Sequence, residues 1–104
     1  MGSPLTKAQR HMERVQSLGC VVCRNLGLGL TPAQVHHVKH AGRRIDGFHT
    51  IPLCFPHHQA GLCDPTWPVD VGTYSFHPWR KAFEAQYGTE QALLEQTRAE
   101  LGQD

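Results

Sequence analysis

Two short ligand pairs constrain this chain more than any other feature: Cys20-x2-Cys23 and, farther along, Cys54-x2-His57. Two donors separated by two residues on a tight turn reach the same tetrahedral Zn²⁺, and one such half-site needs a second to close it. A secreted disulfide framework is the plainer alternative, but nothing in the chain suggests export. A redox pair is another, but no strand–CxxC–helix context surrounds it. Cys20, Cys23, Cys54 and His57 therefore read as a Cys3His structural zinc site. A rival exists, because Cys20-x2-Cys23-x12-His36-x3-His40 has the ligand spacing of a C2H2 finger. That reading fails on the rest of its motif. The segment from Arg24 to Leu30 has glycines where the finger has an aromatic, and Cys54, His57 and His58 are left without a purpose.

A metal staple suits the composition. A chain of 104 residues is one domain as a prior. It buries only about 60–70% of the surface its unfolded form exposes. Hydrophobic residues make up 39% and aromatics 8%, while His and Cys number eight and four. A structural zinc supplies on the order of 10–16 kcal/mol of apparent binding energy to folding, which answers a marginal core. No apolar run approaches the ~18 residues of a membrane span, and no secretory signal pattern opens the chain, so a cytoplasmic protein with no membrane partner is expected. The net charge of +1 excludes an acidic solvating tail and a highly basic peptide, and it hides a segregation. Residues 1–44 carry seven Lys and Arg against Glu13 alone, whereas residues 45–104 carry three against eight Asp and Glu. One half is thus suited to face a polyanion.

The expected fold class is α+β, a single domain over 1–104 with a core at about 19–60 and a C-terminal helical part at 77–101. Residues 4–18 read as a helix opened by a Thr6–Gln9 capping box. Ala8, Met12, Val15 and Leu18 form its apolar stripe, with His11 at the surface or boundary. The stretch 20–31 reads as too glycine-rich for a helix. Residues 33–39 and 48–53 suit two short strands, and a short helix with Pro56 in its first turn follows Cys54. Residues 61–76 read as irregular. In the C-terminal part, Trp79, Phe83 and Tyr87 recur every four residues as one core-facing aromatic face. Gly88 interrupts, and Thr89 caps a last helix with Leu93, Leu94 and Leu101 on its apolar side.

His36, His37, His49 and His58 lie within or beside the elements that this zinc draws together. Neighbouring strand residues point to opposite faces, so His36 and His37 divide the labour, one on a metal and the other elsewhere. The whole pattern, Cys-x2-Cys, then His-His-Val, then His-Thr-Ile-Pro-Leu-Cys-x2-His-His, resembles an HNH (ββα-metal) endonuclease. More narrowly, residues 18–26, 32–38, 51–54 and 83–90 resemble the Ref-like family, the recombination-enhancement, RecA-dependent nucleases of phages and bacteria. The resemblance spans roughly residues 5–101 and implies a zinc-stapled ββα-metal core flanked by N- and C-terminal helices.

It also implies roles. His36 and His58 match ligands of a catalytic divalent ion, with His77 as a further metal or phosphate contact. His37 matches the general base, and His49 the residue that holds the loop and orients that base. The activity implied is hydrolysis of DNA to 5′-phosphate and 3′-hydroxyl ends, in recombination with a RecA filament as partner in the bacterial or phage-infected cytoplasm. Some members carry a long basic N-terminal arm; here few residues stand ahead of the first helix. A phosphodiester is a poor, anionic electrophile, so a divalent ion must offset charge in the transition state. Imidazole ligands leave Mg²⁺, Mn²⁺, Zn²⁺ and Ni²⁺ all open. Lys39, Arg43 and Arg44 are the expected DNA-phosphate contacts, with Arg24 and the Lys7–Arg10–Arg14 face extending the track. Cys63 fits no role and reads as a free, half-buried thiol. The competing class is a non-catalytic zinc-stabilised nucleic-acid-binding or adaptor module, which has no need of an unliganded histidine beside a metal.

Overall fold

The computed structural model describes residues 5–59 and 75–102. Helix α1 (Lys7–Ser17) starts where its capping box dictates. The Thr6 hydroxyl accepts from the Gln9 N–H at 3.1 Å, and the Gln9 side chain accepts from the Thr6 N–H at 2.8 Å. Its buried face is Val15 together with His11, which is 3% exposed and packs its ring on Phe48. His11 is therefore a core residue and not the surface or boundary histidine expected from its place beside the apolar stripe. The loop at residues 45–49 approaches the helix closely on the side where Gly47 leaves room, since a Cβ there would stand 2.9 Å from that of Ala8.

Residues 20–31 are not free of helix, as their glycine content suggested. Helix α2 (Val21–Asn25) occupies their start, because the glycines lie beyond it. Cys20 caps its N-terminus through sulfur. At its end Gly27 takes φ +76°, with the Gly27 N–H on the Arg24 carbonyl and the Leu28 N–H on that of Cys23. This is the Schellman arrangement, and glycine ends the helix without preventing it.

Strand β1 (Gln34–His37) pairs antiparallel with β4 (Thr50–Leu53), Gln34 opposite Leu53 and His37 opposite Thr50. The expected 33–39 strand is broken at Val38 and continues as β2 (Lys39–His40), paired with β3 (Arg43–Arg44). Val38 joins the two ladders, donating to the His49 carbonyl and accepting from Ile45. The two-residue tip, Ala41 and Gly42, has positive φ at both positions, as a type I′ turn requires. Asp46 folds the return loop by accepting the N–H groups of Phe48 and His49. Helix α3 (Phe55–His58) follows directly, with proline in its first turn and Cys54 as its N-cap.

The C-terminal part is α4 (Phe76–Tyr87) and α5 (Glu90–Glu100). The expected aromatic face changes membership. Non-helical backbone at His77 and Trp79 breaks the four-residue register, so Trp79 is 44% exposed. Phe76 takes its place, edge-to-face on Phe83, which in turn packs on Tyr87. Thr89 caps α5 by accepting from the Ala92 N–H, and Leu93 and Leu94 enter the core beside Val21, Val22, Ile51, Leu53 and Phe83.

Opposite charges from the two halves of the sequence meet across this core. Arg24 makes a two-pronged pair with Glu100 at 2.6 and 3.0 Å, and Arg14 donates to the Leu101 carbonyl. Those two arginines fasten α5. No helix among the described residues is long and apolar enough to cross a membrane.

Two candidate metal centres

The turn into α2 brings Cys20 and Cys23, and the β4–α3 junction brings Cys54 and His57. All four are buried, with ligand atoms within 4.8 Å of one another. The distances support a tetrahedral ion. Bond lengths of about 2.3 Å to sulfur and 2.0–2.1 Å to nitrogen imply edges of roughly 3.8 Å between sulfurs and 3.6 Å from sulfur to nitrogen. Cys23 and Cys54 sulfurs stand 3.7 Å apart, and the His57 Nδ1 lies 3.6, 3.6 and 3.3 Å from Cys20, Cys23 and Cys54. Protonation makes the same point. Without a cation the cluster accommodates one thiolate. Hydrogen bonds from Cys23 and then Cys54 pull Cys20 far below the usual thiol range. The hydrogen bond with Cys20 pushes Cys23 up to about 11, and Cys54 rises further for the same reason. A divalent cation is what lets all three ionise together. This buried Cys3His group suits a metal such as zinc. His40, the last ligand of the C2H2 alternative, is exposed on β2 opposite Arg43, so that arrangement is excluded.

The second cluster lies one residue away on the same short helix. His58 (α3), His36 (β1) and His77 (α4) offer ligand atoms within 4.8 Å of one another. Their rings form a nearly equilateral triangle, with centroids 5.2, 5.4 and 5.5 Å apart. It is open where the first is closed: His36 is buried, His58 half-buried and His77 exposed. Burial lowers the pKa of His36 and of His58 to about 4, with charge repulsion among the histidines adding to it. His77 is also lowered, again chiefly by burial. At neutral pH the three rings therefore offer lone pairs instead of charges.

Two residues not singled out in the sequence orient these rings. Gln34 Oε1 accepts from His58 Nδ1 at 2.8 Å and from Gln59 at 3.1 Å, which leaves His58 Nε2 as the free donor atom. A Glu90 oxygen lies 2.8 Å from His36 Nε2. Neither has a spacing signature, since 24 and 54 positions separate the partners.

A cleft of about 160 Å³ opens over this triangle, and His37, Lys39 and Arg44 line it as well. The His37 pKa is lowered by burial and by the Arg44 and Lys39 charges. Lys39 and Arg44 face each other across β2 and β3, and neither has an acidic partner among the described residues. Arg43 sits exposed at the hairpin tip, outside the cleft wall.

His49 is placed elsewhere. Its ring bonds Asp46 at 2.8 Å and lines a separate groove against α5, away from His37. The loop-holding part of its expected role falls to its main-chain carbonyl, which takes the Val38 N–H at 2.9 Å. Cys63 lies outside the described residues.

The molecule is a small α+β protein with one closed and one open candidate metal centre among its described residues. A family model described as recombination enhancement, RecA-dependent nuclease matches residues 4–102. The chain belongs to that family, a nuclease family of recombination. A search of curated proteins returned no match.

Proposed function

We propose that the protein is an HNH-type, metal-dependent DNA endonuclease whose catalytic centre is the open three-histidine cleft. The observation that carries this reading is the meeting, in one cleft, of three neutral imidazoles with His37 and a Lys39–Arg44 pair that has no acidic partner among the described residues. His36, His58 and His77 would hold the divalent ion. Fewer than four protein ligands leave positions for substrate, as a catalytic site requires. When bound, that ion supplies charge neutralisation at the scissile phosphate and its leaving oxygen.

The remaining roles belong to the chain's own groups. Lys39 and Arg44 bind backbone phosphates, which positions DNA without reading its bases. Like charges directly opposite on a ladder cost stability, and a phosphate between them reverses the cost. Arg43 reaches the same backbone farther out on the hairpin tip. His37, neutral at pH 7 because burial and these cations lower its pKa, takes the proton from the attacking water at a ring nitrogen. The hairpin closure by the His49 carbonyl keeps β1 and its two histidines in place. The Cys3His zinc fixes α3, and with it His58, so the fold-holding ion also aligns the catalytic ligand. The substrate class is DNA, met on a RecA filament, in keeping with a RecA-dependent nuclease of recombination, and the setting is the cytoplasm.

The test is plasmid cleavage with added divalent metal, for wild type and His37→Ala, with and without RecA filaments. Metal-dependent cutting by wild type and its loss in the variant are expected. A wild type inert under every condition returns the protein to the class of zinc-stabilised binding modules. A His37→Ala protein that cuts at the wild-type rate removes His37 from the base position.

A further inference from the structure

Among the described residues, the Glu90 carboxylate is the one acidic group hydrogen-bonded to the three-histidine cluster, and the proposed chemistry leaves it unused. It opens α5 and is 11% exposed, while its partner His36 is 3% exposed. Both carboxylate oxygens and the backbone N–H of Glu90 are held. One oxygen meets His36 Nε2 at 2.8 Å, the other meets Arg80 Nη2 at 3.3 Å, and the backbone N–H donates to Glu84 at 2.8 Å. Arg80 also pairs with Glu84 and lies over the Phe76 ring, which packs on His36 at 4.4 Å between centroids. The His36 ring is thus packed edge-to-face with Phe76 and held at its Nε2 edge by Glu90.

A carboxylate only accepts, so this hydrogen bond requires Nε2 to carry the proton and leaves the lone pair on Nδ1. Glu90 itself does not join the set of ligand atoms that lie within 4.8 Å of one another. Carboxylates that take the far N–H of a metal-binding imidazole fix its tautomer and raise its basicity. The geometry points to Glu90 as a positioning residue: it holds His36 in the Nε2–H tautomer, so that Nδ1 is the atom presented to a divalent ion in the cleft. This deepens the proposed nuclease reading and rests on it. Gly88, at φ +113°, makes the turn that sets Glu90 at this point.

The experiment uses the zinc-loaded full chain. Nitrogen–proton correlation spectra of the His36 ring report its tautomer, and titration with Co²⁺ and Mn²⁺ reports affinity for the second ion. Wild type is expected to show Nε2–H. Glu90→Ala is expected to lose the single tautomer and to bind the second ion roughly 10–100-fold more weakly. Glu90→Gln, whose amide oxygen still accepts from Nε2–H, should keep the tautomer and recover part of the affinity, which a merely structural ion pair would not give. Wild-type affinity in Glu90→Ala overturns the proposal while leaving the nuclease reading intact. So does an Nδ1–H tautomer in wild type, which reads the same question should Glu90→Ala fail to fold. A wild type that takes up no second ion overturns both.

Discussion

His57 and His58 are neighbours on one helical turn, yet they serve centres of opposite character. His57 is 1% exposed and closes a set of three thiols. His58 joins two other imidazoles at the floor of an open cleft with a cationic wall. The closed centre has four donors, three of them anionic when metal is bound, and no access. The open one has three neutral donors and room for more. Under the proposed function a single turn of helix divides two jobs, holding the fold and meeting a substrate, because successive residues on it point about 100° apart.

The comparison breaks most visibly at the closed centre. Cys54→Ala should release the zinc and unfold the domain, because the ~10–16 kcal/mol of a structural zinc exceeds or rivals the whole stability of a small domain. Metal analysis with circular dichroism checks this, and a folded, zinc-free Cys54→Ala protein would refute the staple. At the open centre the large effect is on rate. His37→Ala should lower DNA cleavage roughly 10²- to 10⁴-fold, with zinc content and thermal midpoint unchanged.

Acid sharpens the contrast further. His36 and His58 have pKa values near 4 when folded, against about 6.5 when unfolded. Between those limits the unfolded chain binds more protons, so acidification through this window costs stability. The same shift removes proton competition for the second ion. Its affinity at His36 and His58 should stay nearly flat from pH 7.5 to about 5.5 and fall only toward 4, as calorimetry with Co²⁺ can show. A tenfold loss of affinity by pH 6 would mean that the rings are not desolvated. The smallest expected effect is on the cleft wall. Lys39→Ala and Arg44→Ala should each weaken DNA binding without altering metal content, and each should reduce the salt slope by roughly 0.9 if it meets one phosphate.

How much of this was legible in the sequence follows from the range of each interaction. The paired two-residue spacings and the two threonine caps are local, and the Cys3His quartet, α1 and α5 follow from them. The α2 turn was hidden because glycines counted over a window conceal where they sit; Gly27 lies beyond the helix as its terminator. Trp79 kept its four-residue spacing on paper, but a local backbone kink turned it outward and brought in Phe76. His11 is buried through Phe48, 37 positions away, and a stripe read from one helix cannot register that. The Gln34 and Glu90 hydrogen bonds that choose which nitrogen of His58 and His36 is free are likewise products of tertiary folding. His49 shows the limit of carrying a role by position. Its place before β4 fits the expected pattern, but Asp46 three residues earlier captures the ring.

The most direct test of the division between the two centres is DNA cleavage by zinc-loaded His58→Ala, measured beside its zinc content and thermal midpoint. The expected result is one tightly held zinc, a fold as cooperative as wild type, and cleavage lost to background. Cleavage at the wild-type rate, or loss of the zinc together with the fold, would contradict it.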